Sequence, residues 1–244
     1  MHGNLQGLNR FCEHLKNNSY DHIVFLGDAV GYGAKPGECV EIIDKIATIK
    51  LIGNHDAAVM EQLEIDYFNP QAQLALQWTS QNISPGQKKI MQNWLYSTVL
   101  KVNDVNIGLA HASFYSPRSW TYILNENEAR MEFKLTGENS LFIIMVAHSH
   151  IPGFFQYDPA QESVDQYALG TFNLALLSNY RYIINSGSIG QPRDRDPRSS
   201  FAVLDLEEQF VKIIRVEYDI KRTEQEILQA GLPKQLAYRL NKGY

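Results

Sequence analysis

The chain has 244 residues, of which 44% are hydrophobic and 20% charged, and its formal net charge at pH 7 is −5. This balance is typical of a globular protein, and the acidic surplus excludes a general basic surface for nucleic acid or anionic membranes. The longest apolar run, 141–147, is too short to span a bilayer. Two cysteines exclude a disulfide framework, and the first residues lack the layout of a signal peptide. We therefore expect a cytoplasmic protein with no membrane partner and no stable binding of nucleic acid.

The first part of the chain alternates helical and strand patterns. Apolar residues recur at three- and four-residue spacing from Leu5 to Leu15, which predicts an amphipathic helix near the first residue. Residues 22–26 and 49–52 are short apolar runs that end in glycine, as buried strands often do. A helix is predicted between them at 36–46, with Pro36 suited to its first turn. This alternation predicts βαβ units and a parallel sheet.

The middle and end of the chain carry a different order of elements. Helices are predicted at 71–81, from the capping box at Ser84–Gln87 to about Leu95, at 126–135 and from Thr223 onward. Strands are predicted at 105–110, 141–147, 153–157, 181–185, 201–205 and 211–218. No repeat or linker divides the chain, so we expect one domain over 1–244, with two facing sheets flanked by helices.

Residue types that bind metals stand where predicted strands end. They are Asp28, Asn54, His111, His148 and His150, together with His2, which precedes the first helix at the point where a strand end would fall. The steps from His2 to Asp28 and from Asp28 to Asn54 are both 26 residues, one βα unit each. Open α/β sheets carry their ligand sites beyond the carboxyl ends of strands. The spacing therefore predicts that these side chains lie along one sheet edge.

The chemistry of this set indicates catalytic rather than structural metal. Carboxylate, amide and imidazole ligands suit Mn²⁺, Fe²⁺ or Zn²⁺, and the lack of a thiolate argues against a structural zinc site. The carboxylate of Asp28 has two oxygens and is placed to bridge two ions. Two ions about 3.5–4 Å apart can clamp an in-line displacement at phosphorus.

The order of these motifs resembles the calcineurin-like metallophosphoesterase superfamily. The matching blocks are His2-Gly3-Asn4, Gly27-Asp28, Gly53-Asn54-His55-Asp56, His111 before Ala-Ser, and Ala147-His148-Ser149-His150, in which alanine replaces the usual glycine. Residues 27–33 and 185–194 resemble the prokaryotic branch related to diadenosine tetraphosphatase. Five ordered blocks covering nearly the whole chain are far more specific than any single one.

The resemblance implies a four-layer α/β/β/α sandwich with two divalent ions. One ion would be held by His2, Asp28 and His150, and the other by Asp28, Asn54, His111 and His148. His55 would contact the substrate phosphate and protonate the leaving oxygen, and Asp56 would orient its imidazole. Arg193 is a candidate phosphate clamp, since a guanidinium grips two oxygens at once, and Asn54 and His55 are the other expected substrate-binding residues.

The implied activity is hydrolysis of phosphodiester or dinucleoside-polyphosphate bonds by attack of a metal-bound hydroxide. A phosphomonoesterase or protein phosphatase shares the same chemistry. A non-catalytic metal-binding scaffold, like the retromer subunit that resembles this superfamily, is a third hypothesis. The family's first aspartate would lie two residues before His2, on a strand that this chain lacks. We expect a truncated or misplaced start, with weaker metal binding and lower stability. The retention of His55 argues against a scaffold.

Several residues keep two interpretations at this stage. Tyr32, Tyr115 and Trp120 either stack on a nucleobase or belong to the packing. Arg195 and Arg198 either reach the site or form a solvated loop with Asp194 and Asp196. The loops at 115–122 and 160–179 are expected to set substrate choice. The sequence does not indicate the oligomeric state.

Overall fold

A computed structural model describes residues 1–137, 140–168 and 173–244. The chain forms two compact units, each assembled from separate stretches. The first unit contains Met1–Leu95, Ile189–Ser199 and Val216–Tyr244, and the second contains Tyr96–Ser188 and Ser200–Arg215. The single domain expected from the sequence stays a prediction. In the part of the chain that is described, no helix is long and apolar enough to cross a membrane.

The helices and strands have the following bounds. The helices are α1 (Leu5–Lys16), α2 (Pro36–Ile46), α3 (Asn54–Val59), α4 (Pro70–Asn82), α5 (Pro85–Met91), α6 (Glu126–Leu135), α7 (Ile220–Gln229) and α8 (Lys234–Tyr238). The strands are β1 (Val24–Phe25), β2 (Ile49–Lys50), β3 (Ser97–Val102), β4 (Val105–Ala110), β5 (Ile143–Val146), β6 (Gly153–Asp158), β7 (Ser163–Ala168), β8 (Asn173–Ala175), β9 (Arg181–Asn185), β10 (Ser199–Asp205) and β11 (Phe210–Val216). Short 3₁₀ turns lie at Ile65–Tyr67 and Leu240–Lys242.

The first unit is built on a short parallel pair of strands. Val24 of β1 pairs with Ile49 of β2, and Leu51 continues the pattern as a bridge to Leu95. Helix α1 is capped by Asn4, whose side-chain oxygen accepts a hydrogen bond from the backbone N–H of Gly7 at 3.0 Å. Helices α2 and α7 pack against α1. Because both strands run in the same direction, residues 27–28 and 53–54 leave the sheet at the same edge.

The second unit contains a six-stranded sheet in the order β3-β4-β5-β9-β6-β7. Strands β4, β5 and β9 are parallel neighbours, and the remaining pairs are antiparallel. A three-stranded sheet has the order β10-β11-β8. Helix α6 covers β6 and β7, and its Phe133 is buried in a core with Ile144 and Ile183. The parallel strands β4 and β5 thus bring His111 and His148 to one sheet edge.

The predicted α/β class, with several sheets and flanking helices, is confirmed. The helix predicted to reach about Leu95 ends at Met91, because Leu95 is needed for the bridge to Leu51. Helix α3 and strands β3, β7 and β8 are found where no element was predicted. Strands β7 and β8 occupy much of the predicted loop 160–179, of which residues 169–172 lie outside the described residues.

Candidate functional site

His2 and Asp28 of the first unit form a buried pair with an unusual hydrogen-bonding pattern. Both residues are 2% exposed, and His2 Nε2 lies 3.4 Å from Asp28 Oδ2. The other ring nitrogen, Nδ1, is 3.0 Å from the carbonyl oxygen of Val30 and must donate to it, since a carbonyl only accepts. Burial holds the pKa of His2 well below its ordinary value, although Asp28 opposes this. In the neutral ring the Nε2 lone pair therefore faces a carboxylate oxygen, an arrangement that a cation would stabilise.

The second oxygen of Asp28 is fixed by the start of helix α3. Asp28 Oδ1 accepts a hydrogen bond from the backbone N–H of His55 at 2.9 Å. A Cβ atom at Gly53 would lie only 2.1 Å from the same oxygen. Glycine is therefore required at position 53, because any side chain there would displace the Asp28 carboxylate.

Asn54 and Asp56 point two different polar groups into the buried region at the start of α3. Asn54 Oδ1 is buried and has no hydrogen-bond partner among the described residues. The Asp56 carboxylate accepts hydrogen bonds from the backbone N–H groups of Asp28 (2.7 Å), Gly53 (3.0 Å) and Val30 (3.2 Å). A buried oxygen without a hydrogen bond is costly, so the Asn54 amide suits a metal ion as partner.

The imidazole of His55 is held among other rings. It is 3% exposed, and its centroid lies 4.5 Å from Tyr32, 4.7 Å from His2 and 5.0 Å from Phe68. A Cβ at Gly31 would approach His55 Nδ1 to 2.3 Å. The ring is thus fixed by packing in the same buried region as His2. Whether Asp56 orients it, as the resemblance implies, stays a prediction.

The second unit brings two of its predicted ligands together. His111 follows β4 and His148 follows β5, and His111 Nε2 lies 3.1 Å from His148 Nδ1. Tyr122 stacks on His148 with a centroid distance of 4.0 Å, and Trp120 meets the His111 ring edge-on at 6.0 Å. Two histidine nitrogens so close together can share a proton or bind the same metal ion.

Two buried polar side chains, to which the sequence analysis gave no role, position the segments that carry these histidines. Asn185 donates hydrogen bonds to the carbonyl oxygen of Ala147 at 2.5 Å and to Ser149 Oγ at 2.9 Å, and so holds the turn that carries His148 and His150. Glu132 of α6 accepts from Ser113 Oγ (2.7 Å) and from the backbone N–H groups of Phe114 (2.7 Å) and Tyr115 (2.9 Å). This carboxylate anchors the segment that follows His111. The motif at 185–194 begins at Asn185, but a single sequence shows the contacts of neither residue.

Four of the six predicted ligands have left-handed backbone conformations. The φ angles are +57° at His2, +60° at Asp28, +54° at His148 and +62° at His150. A non-glycine residue in this region costs about 1–3 kcal/mol, and such residues cluster at functional sites. The backbone is thus strained at four of the positions where the sequence predicts metal ligands.

Arg193 contacts the ring of Tyr32, which packs against His2 and His55. Its guanidinium lies 5.8 Å from the Tyr32 ring centroid and donates to Gln191 Oε1 at 2.8 and 3.3 Å. Tyr32 is 6% exposed and also packs against His2 and His55, so it is a packing residue. Arg198 forms an ion pair with Asp196, which agrees with the interpretation of this segment as a solvated loop.

The comparisons with known proteins identify the family. The sequence profile of the calcineurin-like phosphoesterase superfamily domain matches residues 1–209. The chain belongs to this superfamily. The phosphoesterase is 32% identical over 243 residues to an uncharacterized protein of Methanocaldococcus jannaschii, with 100% of this chain and 95% of that protein covered.

Solved structures agree with this assignment. A metallophosphoesterase from Sphaerobacter thermophilus shares 35% identity with a TM-score of 0.83, covering 100% of this chain and 96% of that one. A hypothetical protein from Pyrococcus horikoshii OT3, at 22% identity and a TM-score of 0.77, has the same fold over 100% of this chain and 95% of its own. The chain is a metal-dependent phosphoesterase, and its His/Asp groups are of a type that can bind divalent metals.

Proposed function

We propose that the phosphoesterase uses two divalent metal ions, manganese first among Mn, Fe and Zn, to hydrolyse phosphodiester or dinucleoside-polyphosphate bonds. The observation that carries the proposal is the approach of His2 Nε2 to an Asp28 carboxylate oxygen at 3.4 Å, in a fully buried place. An imidazole nitrogen and a carboxylate oxygen are both donor atoms that divalent metal ions bind. Such a pair is therefore a fit for a metal ion.

The proposed ligand sets follow the family's motif order. His2, Asp28 and His150 would hold one ion, and Asp28, Asn54, His111 and His148 the other. Support for the second set comes from the partnerless Asn54 oxygen and from the 3.1 Å approach of the His111 and His148 nitrogens. When bound, the ions would polarise the phosphoryl oxygens and lower the pKa of a water molecule.

The chain's own side chains supply the remaining chemistry. His55 would donate a proton to the leaving oxygen, and its fixed packing against Tyr32 and Phe68 holds the imidazole ready for this transfer. The guanidinium of Arg193 would neutralise charge on a phosphate oxygen. Asp56 holds the backbone of Asp28, so the Asp28 carboxylate, which would bind the metal ions, keeps its place.

The preference for a diester over a monoester is supported by the aromatic residues near the histidines of the second unit. Tyr122 is 41% exposed while it stacks on His148, and Trp120 contacts the ring of His111. Exposed rings beside a phosphate site offer a surface for the organic group on the far side of a phosphodiester. The cytoplasmic location stays a prediction of the sequence.

Hydrolysis of bis-p-nitrophenyl phosphate with added Mn²⁺ tests the proposal, with p-nitrophenyl phosphate as the monoester. We expect metal-dependent diester hydrolysis, with kcat reduced about 10²–10⁴-fold in His55→Ala. His14→Ala is the matched control, because His14 instead contacts Tyr20 at 2.7 Å. Faster turnover of the monoester would favour a phosphomonoesterase. Bound metal without turnover of either ester would favour the scaffold.

A further inference from the structure

Trp120 has an unusual backbone conformation in the loop that follows His111. Its φ angle is +56°, in the left-handed region that bulky side chains rarely adopt. The residue is half-buried and lies outside the helices and strands. Trp94, by contrast, is 5% exposed and packs against Phe25 in the first unit. Strained residues of this kind cluster at ligand sites, so the conformation of Trp120 indicates a role other than filling the core.

The loop that carries Trp120 is anchored on both sides. Before it, the Glu132 carboxylate accepts a hydrogen bond from Ser113 Oγ at 2.7 Å. After it, Ile123 is 7% exposed in the hydrophobic core of the second unit. These anchors place Trp120 and Tyr122 before any substrate binds, and such preorganisation lowers the entropy cost of binding.

Two rings of this loop contact histidines that are proposed metal ligands. Trp120 meets the ring of His111 edge-on, with 6.0 Å between the centroids. Tyr122 stacks on His148 with 4.0 Å between the centroids and 21° between the planes. Tyr122 is 41% exposed, so part of its ring is open to solvent. An organic group joined to a phosphate at these histidines would therefore reach the two rings.

The aromatic surface continues from Trp120 to Tyr96 and Arg118. The ring centroids of Trp120 and Tyr96 are 6.0 Å apart, and the Arg118 guanidinium carbon lies 4.0 Å from the Tyr96 centroid. Aromatic rings with an arginine beside them bind planar bases by stacking and cation–π attraction, without reading a particular base. A small alcohol group gains little from such a surface, because it has no flat face to stack. The composition of the surface thus favours a planar aromatic group as its ligand.

We propose that Trp120 and Tyr122 form a subsite for a planar aromatic group of the substrate, with Tyr96 and Arg118 as its outer part, and that nucleotides are the preferred class of phosphoester. This inference rests on the proposed function and narrows its substrate class. It assigns Trp120 to stacking, one of the two interpretations that the sequence left open.

Direct binding tests the subsite without any turnover. The probes are adenosine monophosphate and ribose-5-phosphate, which differ by the adenine, titrated by calorimetry into the full-length protein with saturating Mn²⁺. The wild type should bind adenosine monophosphate about tenfold more tightly or better. Trp120→Leu should lose about tenfold in affinity for adenosine monophosphate and keep its affinity for ribose-5-phosphate, because the phosphate site stays intact. Trp120→Phe, which keeps a ring, should recover most of the loss.

Tyr167→Leu is the matched control, since it removes a ring that is 37% exposed on the edge strand β7 of the same unit. This variant should bind both compounds as the wild type does. Equal affinities of the wild-type protein for the two compounds would overturn the proposal. Equal losses of Trp120→Leu on both compounds would overturn it as well, because they would mean that the ring only positions His111.

Inhibition of bis-p-nitrophenyl phosphate hydrolysis separates this inference from the proposed function. Adenosine monophosphate should inhibit the wild type at a lower concentration than ribose-5-phosphate does, and Trp120→Leu should lose this difference. If the wild-type protein does not hydrolyse the diester with metal bound, the proposed function fails, while the titration still decides whether the subsite exists.

Discussion

The carboxylate of Asp56 accepts a hydrogen bond from the backbone N–H of Asp28 at 2.7 Å. Through this bond the third residue of α3 holds the neighbouring strand end, where Asp28 has a left-handed φ of +60°. Further hydrogen bonds from Gly53 and Val30 converge on the same carboxylate. The contacts thus give Asp56 a role toward the backbone of Asp28, in addition to the role toward His55 that the family resemblance implies.

The Asp56→Asn variant should unfold more easily than the wild type. The amide keeps one acceptor oxygen and places N–H donors against backbone N–H groups, in a position with 0% exposure. We expect a loss of about 2–3 kcal/mol in the free energy of unfolding by urea. Asp44→Asn is the control, because its carboxylate is 41% exposed and pairs with Lys50, a type of pair worth about 0–1 kcal/mol. Similar losses in both variants would contradict this role of Asp56.

Removal of the Asn54 side chain should affect metal binding and leave the metal-free fold intact. Its Oδ1 is buried without a hydrogen-bond partner among the described residues. Asn54→Ala therefore removes the free-energy cost of burying this oxygen together with the packing contacts of the side chain. In metal-free buffer we expect stability within about 0.5 kcal/mol of the wild type. Saturating Mn²⁺ should stabilise the wild type by about 2.7 kcal/mol at 100 times the Kd, and the variant by much less.

Asn4→Ala is the contrasting control for that measurement. Asn4 is buried and bonded to Gly7, Gly190 and Thr223, so its loss should destabilise the protein by about 1–3 kcal/mol with or without metal. A large loss for Asn54→Ala in metal-free buffer would show that the amide has a structural role instead.

Glu132→Gln should loosen the segment that follows His111. The carboxylate is 5% exposed and accepts three hydrogen bonds from Ser113, Phe114 and Tyr115. Weaker anchoring should raise the rate of tryptic cleavage after the exposed Arg118 about tenfold, which corresponds to roughly 1.4 kcal/mol of local stability. Mass spectrometry measures the rate of cleavage after Arg118 in Glu132→Gln and in the control Glu126→Gln, which changes an exposed residue of the same helix. Equal cleavage rates in the two variants would argue against the anchor.

The buried thiol of Cys39 should make stability fall at high pH. Cys39 is 0% exposed, and burial raises the pKa of its thiol. In the unfolded chain the thiol ionises near about pH 8.5, so above this pH the unfolded state binds fewer protons than the folded state and becomes favoured. Between pH 8.5 and 10, Cys39→Ala should lose about 1.5 kcal/mol less unfolding free energy than the wild type. Parallel pH profiles for the two proteins would refute this assignment.

Local sequence signals predicted much of the fold. Helices α2 and α6 have the predicted bounds, because Pro36 starts one and Asn125 caps the other by accepting from two backbone N–H groups. Helix α3 was missed, since Asn and Asp favour turns when judged alone. Its start is stabilised by the bonds of Asp56 to Asp28 and Val30, which are 28 and 26 residues away in the chain.

For the site too, short motifs could be recognised in the sequence, whereas contacts between residues far apart in the chain could not. Motif order predicted a set of metal ligands, which stays a prediction, and the structure places His2 beside Asp28 and His111 beside His148. The support of these ligands by Glu132 and Asn185 depends on partners 19 and 36 residues away, for which one sequence has no signal.

The path of the chain through the first unit has a consequence for protein synthesis. Asn4, two residues after His2, is hydrogen-bonded to Gly190 and to Thr223. The surroundings of Asn4 are thus completed only after residue 223, more than 200 residues later in the chain, has left the ribosome. Nascent chains usually fold from the N-terminus as whole domains emerge. Here the contacts of Asn4 cannot all form until residue 223 has emerged. A ribosome that stalls earlier leaves the segment of His2 and Asn4 without its hydrogen bond to Thr223.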